Sequence, residues 1–151
     1  MTSYTPEQQA EHRTEWVAAL RSGDYEQGQS ALKTAGGSFC CLGVACDLAA
    51  KQGVTEFRAD PCGCGNAECN SGRGYTDDYG SVATGTLPNN VRHWLGLESA
   101  GGSLKESIEY SAPEADQPRK ATDLITLNDE ANWDFAKIAD LIEAGGVQVQ
   151  E

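Results

Sequence analysis

Three cysteines stand close together near the middle of the 151-residue chain, in the stretch DPCGCGNAEC. Cys62, Cys64 and Cys69 supply thiols whose separations suit a tetrahedral zinc ion, with glycines that let the backbone wrap around it. A closed zinc site needs a fourth ligand, for which Cys46 and His93 are candidates that the spacing does not separate. A disulfide and free loop thiols stay open as alternative states of the same three cysteines.

A second group of thiols precedes an apolar segment that predicts a helix. Cys40 and Cys41 lie near its start, where the helix dipole lowers the pKa of a thiol and can make it a nucleophile. Catalysis would also need a base, and the only histidines are His12 and His93. The alternative is that both cysteines are small core residues, which is the commoner role of a free cysteine.

Polar residues at two places are candidates for ligand binding. Asn128 and Asp129 follow an apolar stretch, where they can bind a hydroxyl or amine of a ligand or simply form a turn. Tyr25 and Gln27 place an aromatic ring near an amide, as in many small-ligand pockets, although packing of Tyr25 against the first helix explains it equally well.

Capping signals and apolar periodicity predict about four helices. Thr5, Pro6 and Gln8 form a capping box with proline at the first helical position, and Gly23 ends the same helix. A second helix is apolar on nearly every side, which predicts a central position in the fold. The predicted helices cover residues 6–21, 39–52, about 88–97, and a last helix that Asp134 caps.

The remaining segments predict a small antiparallel sheet, and the fold class is therefore α+β. We expect one domain over residues 1–151, with a cysteine-rich loop at 60–72 and a polar connection at 98–123 that holds at most one strand, near 107–110. Residues 124–127 read as a strand or an apolar approach to Asn128. The alternating tail from residue 147 predicts a final strand or a frayed end.

The charge of the chain restricts its partners. Eleven basic and 23 acidic residues give a net charge of −12, which disfavours direct binding to nucleic acid. An acidic surface suits a basic protein partner, so a decoy of a nucleic-acid-binding protein is one hypothesis. The sequence shows neither a secretory signal nor an apolar run long enough to span a membrane, so we expect a cytoplasmic protein.

Several short motifs resemble a known family. The chain carries FCCLGVACDL at residues 39–48, LP at 87–88, WLGL at 94–97 and LND at 127–129. Together with the first and last helices, these motifs resemble a family of small uncharacterised proteins that is common in bacteriophage and prophage genomes. The cysteine loop departs from the pattern of that family, so a zinc ion there would be a local addition.

The resemblance implies a phage-type accessory protein in an infected or lysogenic bacterium. We expect it to act by binding, either sequestering a small host signalling molecule or inhibiting a host defence protein, with homo-oligomers as one way to build a pocket. The sequence lacks the common nucleotide-binding, metalloprotease and serine-hydrolase motifs, which favours a non-enzyme. A cysteine- or zinc-dependent hydrolase is the alternative.

Overall fold

The computed structural model describes residues 4–29, 31–59, 73–111 and 116–150. These residues form a mixed α+β fold with five helices and two small antiparallel sheets, which confirms the predicted fold class and adds one helix and one sheet. No helix in the described residues combines the length and apolar character needed to cross a bilayer. The helices are α1 (Pro6–Ser22), α2 (Cys41–Lys51), α3 (Asn89–Leu95), α4 (Leu124–Asp129) and α5 (Phe135–Glu143).

Helix α1 begins and ends where its capping residues predict. The Thr5 hydroxyl accepts a hydrogen bond from the Gln8 backbone N–H, and the Gln8 side chain accepts one from the Thr5 N–H. Gly23 ends the helix with φ of 80°, a left-handed conformation that glycine adopts without a steric penalty. The helix buries Trp16 and Leu20 against the core.

Helix α2 starts two residues later than predicted, because Cys40 is its N-cap and Phe39 is still extended. Every residue from Cys41 to Cys46 is buried, and the helix contacts α1, α3 and α4. A β-carbon at Gly43 would overlap the backbone carbonyl oxygen of Leu32, so glycine permits this close approach.

The strands form two separate sheets. The first sheet joins β1 (Phe57–Ala59), β2 (Arg73–Thr76) and β3 (Val82–Ala83) in that order, all antiparallel. On β2, Tyr75 is 1% exposed, and its hydroxyl is the one buried side-chain polar atom of the described residues that lacks a hydrogen-bond partner. The second sheet pairs β4 (Ser103–Tyr110) with β5 (Arg119–Asp123).

Two predictions made from the sequence are wrong. The polar connection at 98–123 contains two strands, β4 and β5, rather than at most one, because backbone pairing holds these strands although most of their side chains are exposed. Of the two interpretations of residues 124–127, the strand is wrong, since these residues start helix α4, which Asp123 caps: its Oδ1 accepts from the Thr126 backbone N–H at 2.9 Å.

Three side chains of α1 hold the C-terminal carbonyl groups of α3. Gln9 Nε2 donates to the carbonyl oxygen of His93 at 2.8 Å, and Arg13 Nη1 donates to that of Leu95 at 2.6 Å. Between them, His12 Nδ1 lies 2.6 Å from the Trp94 carbonyl oxygen, and the His12 ring stacks on the Trp94 indole. The last carbonyl groups of a helix have few partners within the helix, and α1 supplies side-chain partners for three of them in α3.

The segment after α5 runs between two earlier parts of the chain. On one side, Gln148 N donates to the carbonyl oxygen of Ser103 at 2.8 Å, and Val147 forms an isolated bridge with Leu104. On the other side, Val149 forms a bridge with Leu97. The predicted pairing of the alternating tail therefore exists as isolated bridges, which connect the base of β4 to the turn after α3.

Candidate functional site

Asn128 is a fully buried amide in the last turn of α4. Its Oδ1 accepts from Gln27 Nε2 at 2.8 Å and from the backbone N–H of Cys41 at 3.2 Å. Its Nδ2 donates to the carbonyl oxygen of Gly28 at 2.9 Å and to Asp129 Oδ1 at 2.8 Å. Because an amide side chain has two donor hydrogens and one oxygen with two lone pairs, Asn128 is saturated. It ties the segment before α2, the start of α2 and α4 together.

Gln29 and Asn132 form a second layer of amides outside Asn128. Gln29 Nε2 donates to the backbone carbonyl oxygen of Asn128 at 3.1 Å and to Asn132 Oδ1 at 2.6 Å. Gln27 Nε2 makes a second bond as well, to the backbone carbonyl oxygen of Trp133 at 2.7 Å. The two glutamines thus fix their own extended segment to the end of α4 and to the turn that follows.

These amides line an open cleft with a volume of about 400 Å³. Small-molecule sites in proteins have volumes of about 300–1,000 Å³ and carry a few convergent polar groups. We call this feature the amide cleft. It is lined by Gln27, Gly28, Gln29, Asn128, Asn132 and Asp134.

The turn between α4 and α5 positions one wall of the amide cleft. Asn132 has φ of 56°, a left-handed conformation that asparagine tolerates better than most residues. Two residues later, Asp134 caps α5: its Oδ1 accepts from the Lys137 backbone N–H at 2.8 Å. The Asp134 carboxylate is therefore held by a helix start and lines the cleft at the same time.

The structure brings together three of the four residues that the sequence singled out for ligand binding. Gln27 and Asn128 line the amide cleft, and Asp129 is hydrogen-bonded to Asn128. Tyr25 is engaged elsewhere, since its hydroxyl donates to Asp47 Oδ2. Burial, and after it the hydrogen bond to Asp47, raises the pKa of Tyr25.

Gln29, Asn132 and Asp134 were missed by the sequence interpretation. The one signal for Gln29 was its place two residues after Gln27, which would put both on one face only if the segment were extended, and the sequence did not predict that. No comparable signal connects these glutamines to Asn132, because the contact joins parts of the chain about 100 residues apart.

The thiols at the start of α2 are not activated. Burial raises the pKa of Cys40 to about 11, and this outweighs the hydrogen bond that the thiol accepts from the Gly43 backbone N–H. Burial also raises the pKa of Cys41 and of Cys46 well above the usual value. The predicted lowering of the pKa at the helix start is therefore wrong, and the three thiols are core residues that stay protonated near neutral pH.

His93 lines a surface cleft, whereas the predicted nucleophiles Cys40 and Cys41 are buried and do not line it. It lines that cleft together with Tyr4, Asp78 and other polar residues, and its Nε2 is 3.3 Å from Arg92 Nη2. The Cys41 thiol instead donates to the carbonyl oxygen of Leu124. A nucleophile and its base need direct hydrogen-bond contact, and each of these two groups has another partner.

The zinc prediction lies outside the described residues, since Cys62, Cys64 and Cys69 fall in the range 60–72. Within the described ranges, no group of three or more His, Cys, Asp or Glu residues is arranged to hold a metal ion. Of the two candidate fourth ligands, Cys46 is fully buried in α2 and His93 is half-buried. Zinc binding by the cysteine loop stays a prediction.

Comparison with known proteins identifies the chain at the level of a family. No curated protein and no solved structure matches it. The sequence does match a family profile over residues 8–146, a span that runs from the first turn of α1 to just beyond α5 and contains every residue of the amide cleft. The chain belongs to this family, which is described as a domain of unknown function, DUF8296.

Proposed function

We propose that this protein acts by binding a small polar molecule in the amide cleft. The observation that carries the proposal is the convergence of three segments, residues 27–29, Asn128 and residues 132–134, on one cleft of suitable volume. The side chains are held by hydrogen bonds to one another and to backbone carbonyl groups. A site built in this way pays little conformational entropy when it binds a ligand.

The role in the cell is inferred from the resemblance to phage and prophage proteins. In an infected or lysogenic bacterium, a small binding protein can act by sequestering a molecule that the host uses for signalling. This role needs no reactive group, which agrees with the protonated thiols of α2. The proposal also treats α2 as the central helix of the fold, which is supported by its contacts with α1, α3 and α4.

The proposal is tested by dialysing the protein against a bacterial metabolite extract and identifying retained molecules by mass spectrometry. The test variant carries Gln29→Ala and Asn132→Gly, which remove two exposed amides of the cleft, keep the left-handed backbone at position 132 and leave buried Asn128 in place. The control is Gln52→Ala, since Gln52 is an exposed amide that lines the separate cleft beside His93. Circular dichroism establishes that all three proteins are folded.

We expect one compound that the wild type and Gln52→Ala retain in a fixed ratio to protein and that the double variant loses. If no compound is retained by the wild type, sequestration is overturned. Retention by all three proteins would place the binding site outside the amide cleft and would also overturn the proposal.

A further inference from the structure

The two glutamines of the amide cleft have fixed orientations. Gln27 Nε2 faces the backbone carbonyl oxygen of Trp133, and Gln29 Nε2 faces that of Asn128. A carbonyl oxygen can only accept a hydrogen bond, so in each glutamine the nitrogen must be the atom on the protein side. The amide oxygens, Gln27 Oε1 and Gln29 Oε1, are then the atoms directed away from these contacts.

The donor hydrogens of these amides are already used. Gln27 Nε2 donates to Asn128 Oδ1 as well as to Trp133, and Gln29 Nε2 donates to Asn132 Oδ1 as well as to Asn128. Asn128 itself is saturated. Within the described residues, no group donates to Gln27 Oε1 or Gln29 Oε1. The glutamines and Asn128 can therefore offer an incoming ligand acceptor oxygens and no further amide hydrogens.

Two carboxylates, those of Asp129 and Asp134, place negative charge close to these acceptor oxygens. Asp134 lines the cleft and uses Oδ1 for the cap of α5. Asp129 Oδ1 shares the Asn128 Nδ2 donor with the carbonyl oxygen of Gly28, so this carboxylate lies beside the cleft wall. The nearby Lys137 ammonium lies over the Trp133 ring, 4.2 Å from its centroid. The net charge of −12 also favours a positively charged ligand.

We propose that the amide cleft takes a cation that donates hydrogen bonds, namely a primary ammonium or guanidinium group of a small molecule. This inference rests on the proposed function and names its ligand class. An ammonium group has three donor hydrogens and no acceptor, which complements two amide oxygens and a carboxylate. A phosphate or carboxylate ligand would face mainly acceptor oxygens and like charges, with Asn132 Nδ2 as the one side-chain amide donor among the described lining residues that keeps a hydrogen, which is unfavourable.

The ligand class is tested with three probes that share one carbon chain: butylammonium, butanol and butyrate. Each is titrated into ¹⁵N-labelled protein, and the side-chain amide signals of Gln27, Gln29, Asn128 and Asn132 are followed by NMR. Calcium chloride is a fourth probe, because a set of oxygen acceptors can also attract a hard metal ion.

Asp134→Asn is the test variant and Asp123→Asn is its matched control. Both positions are helix N-caps, and asparagine caps as well as aspartate, so each change removes one charge and keeps the helix start. Only Asp134 lines the amide cleft.

We expect butylammonium to shift the cleft signals with a Kd of about 1–10 mM, as for a fragment of this size, while butanol and butyrate leave them unchanged. Asp134→Asn should weaken this binding about five-fold or more, and Asp123→Asn should not change it. If butyrate or calcium shifts these signals and butylammonium does not, the proposed ammonium or guanidinium ligand is overturned, while the cleft remains a binding site. If no probe shifts these signals, the ammonium or guanidinium ligand is also overturned. The dialysis against a metabolite extract then tests the proposed function separately.

Discussion

Asn128 shows how a single buried amide can support a binding surface without being available to the ligand. Its four hydrogen bonds reach Gln27, Gly28, Asp129 and the start of α2, and it is 0% exposed. The contribution of Asn128 is to position the residues to which it is hydrogen-bonded, among them Gln27 in the cleft. A substitution at this residue should therefore act first on stability.

Asn128→Ala should lower the free energy of unfolding by about 3–5 kcal/mol, since several buried donors and acceptors lose their partner at once. Urea unfolding followed by tryptophan fluorescence measures the change. Asn132→Gly is the control, because Asn132 is exposed and glycine adopts its φ of 56° without strain, so this change should cost less than about 1 kcal/mol. Equal losses in the two variants would show that the buried network does not stabilise the fold.

Two tyrosines allow a paired test of hydrogen bonding. The buried Tyr75 hydroxyl has no hydrogen-bond partner in the part of the chain that the structure describes, whereas the Tyr25 hydroxyl donates to Asp47. Tyr75→Phe should leave stability unchanged or raise it by about 1 kcal/mol, because it removes an unsatisfied polar group. Tyr25→Phe should lower stability by about 1 kcal/mol, because it breaks a bond to a carboxylate. Chemical denaturation measures both changes. A loss of stability in Tyr75→Phe would show that the Tyr75 hydroxyl does have a hydrogen-bond partner.

At the scale of elements, α2 makes stability depend on alkaline pH through its buried thiols. The pKa of a cysteine in the unfolded chain is about 9.0, and burial raises the pKa of folded Cys40 to about 11. Below pH 9.0 both states keep the proton, and the contribution of the thiol to stability is fully present. Between these values the unfolded state releases a proton that the folded state retains, so unfolding becomes more favourable as pH rises.

Through Cys40, the free energy of unfolding should fall by up to about 1.4 kcal/mol per pH unit between pH 9 and 11. Cys40→Ser separates this effect from other alkaline titrations, since a serine hydroxyl still caps the helix and does not ionise there. Denaturation at a series of pH values should give Cys40→Ser a shallower decline than the wild type. Parallel declines would contradict a raised pKa at Cys40.

Elements that carry their own end signals could be predicted from the sequence. The capping box at Thr5 and the cap at Asp134 predicted α1 and α5. Helix α4 was missed because its cap, Asp123, precedes a run of only six residues, too short to show helical periodicity. Of the amide cleft, only Gln27 and Asn128 were predicted as ligand-binding residues, and only separately, since their contact is set by tertiary packing and not by spacing.

At the scale of the whole molecule, charge repulsion opposes the compact state. The chain has 23 acidic and 11 basic residues, and most ion pairs of the described residues, such as Arg21 with Asp140, are exposed. Exposed pairs stabilise little, so screening should relieve more repulsion than it removes attraction.

Raising sodium chloride from about 10 mM to about 0.3 M should therefore increase the thermal unfolding midpoint by a few degrees. Differential scanning calorimetry at neutral pH measures the change. Sucrose at equal osmolality is the control, since it does not screen charge and its effect should be subtracted. A lower midpoint in salt would mean that attractive pairs dominate the electrostatics of this fold.

The segment at residues 147–150 has a consequence for biosynthesis. It is translated after every helix and strand of the described structure, yet it bridges Leu97 and Leu104, which are both buried. While the ribosome is still adding the last helix, these two leucines lack the valines that pair with them. The growing chain therefore exposes apolar surface until this segment leaves the exit tunnel, so the turn after α3 and the base of β4 close after synthesis of all the helices.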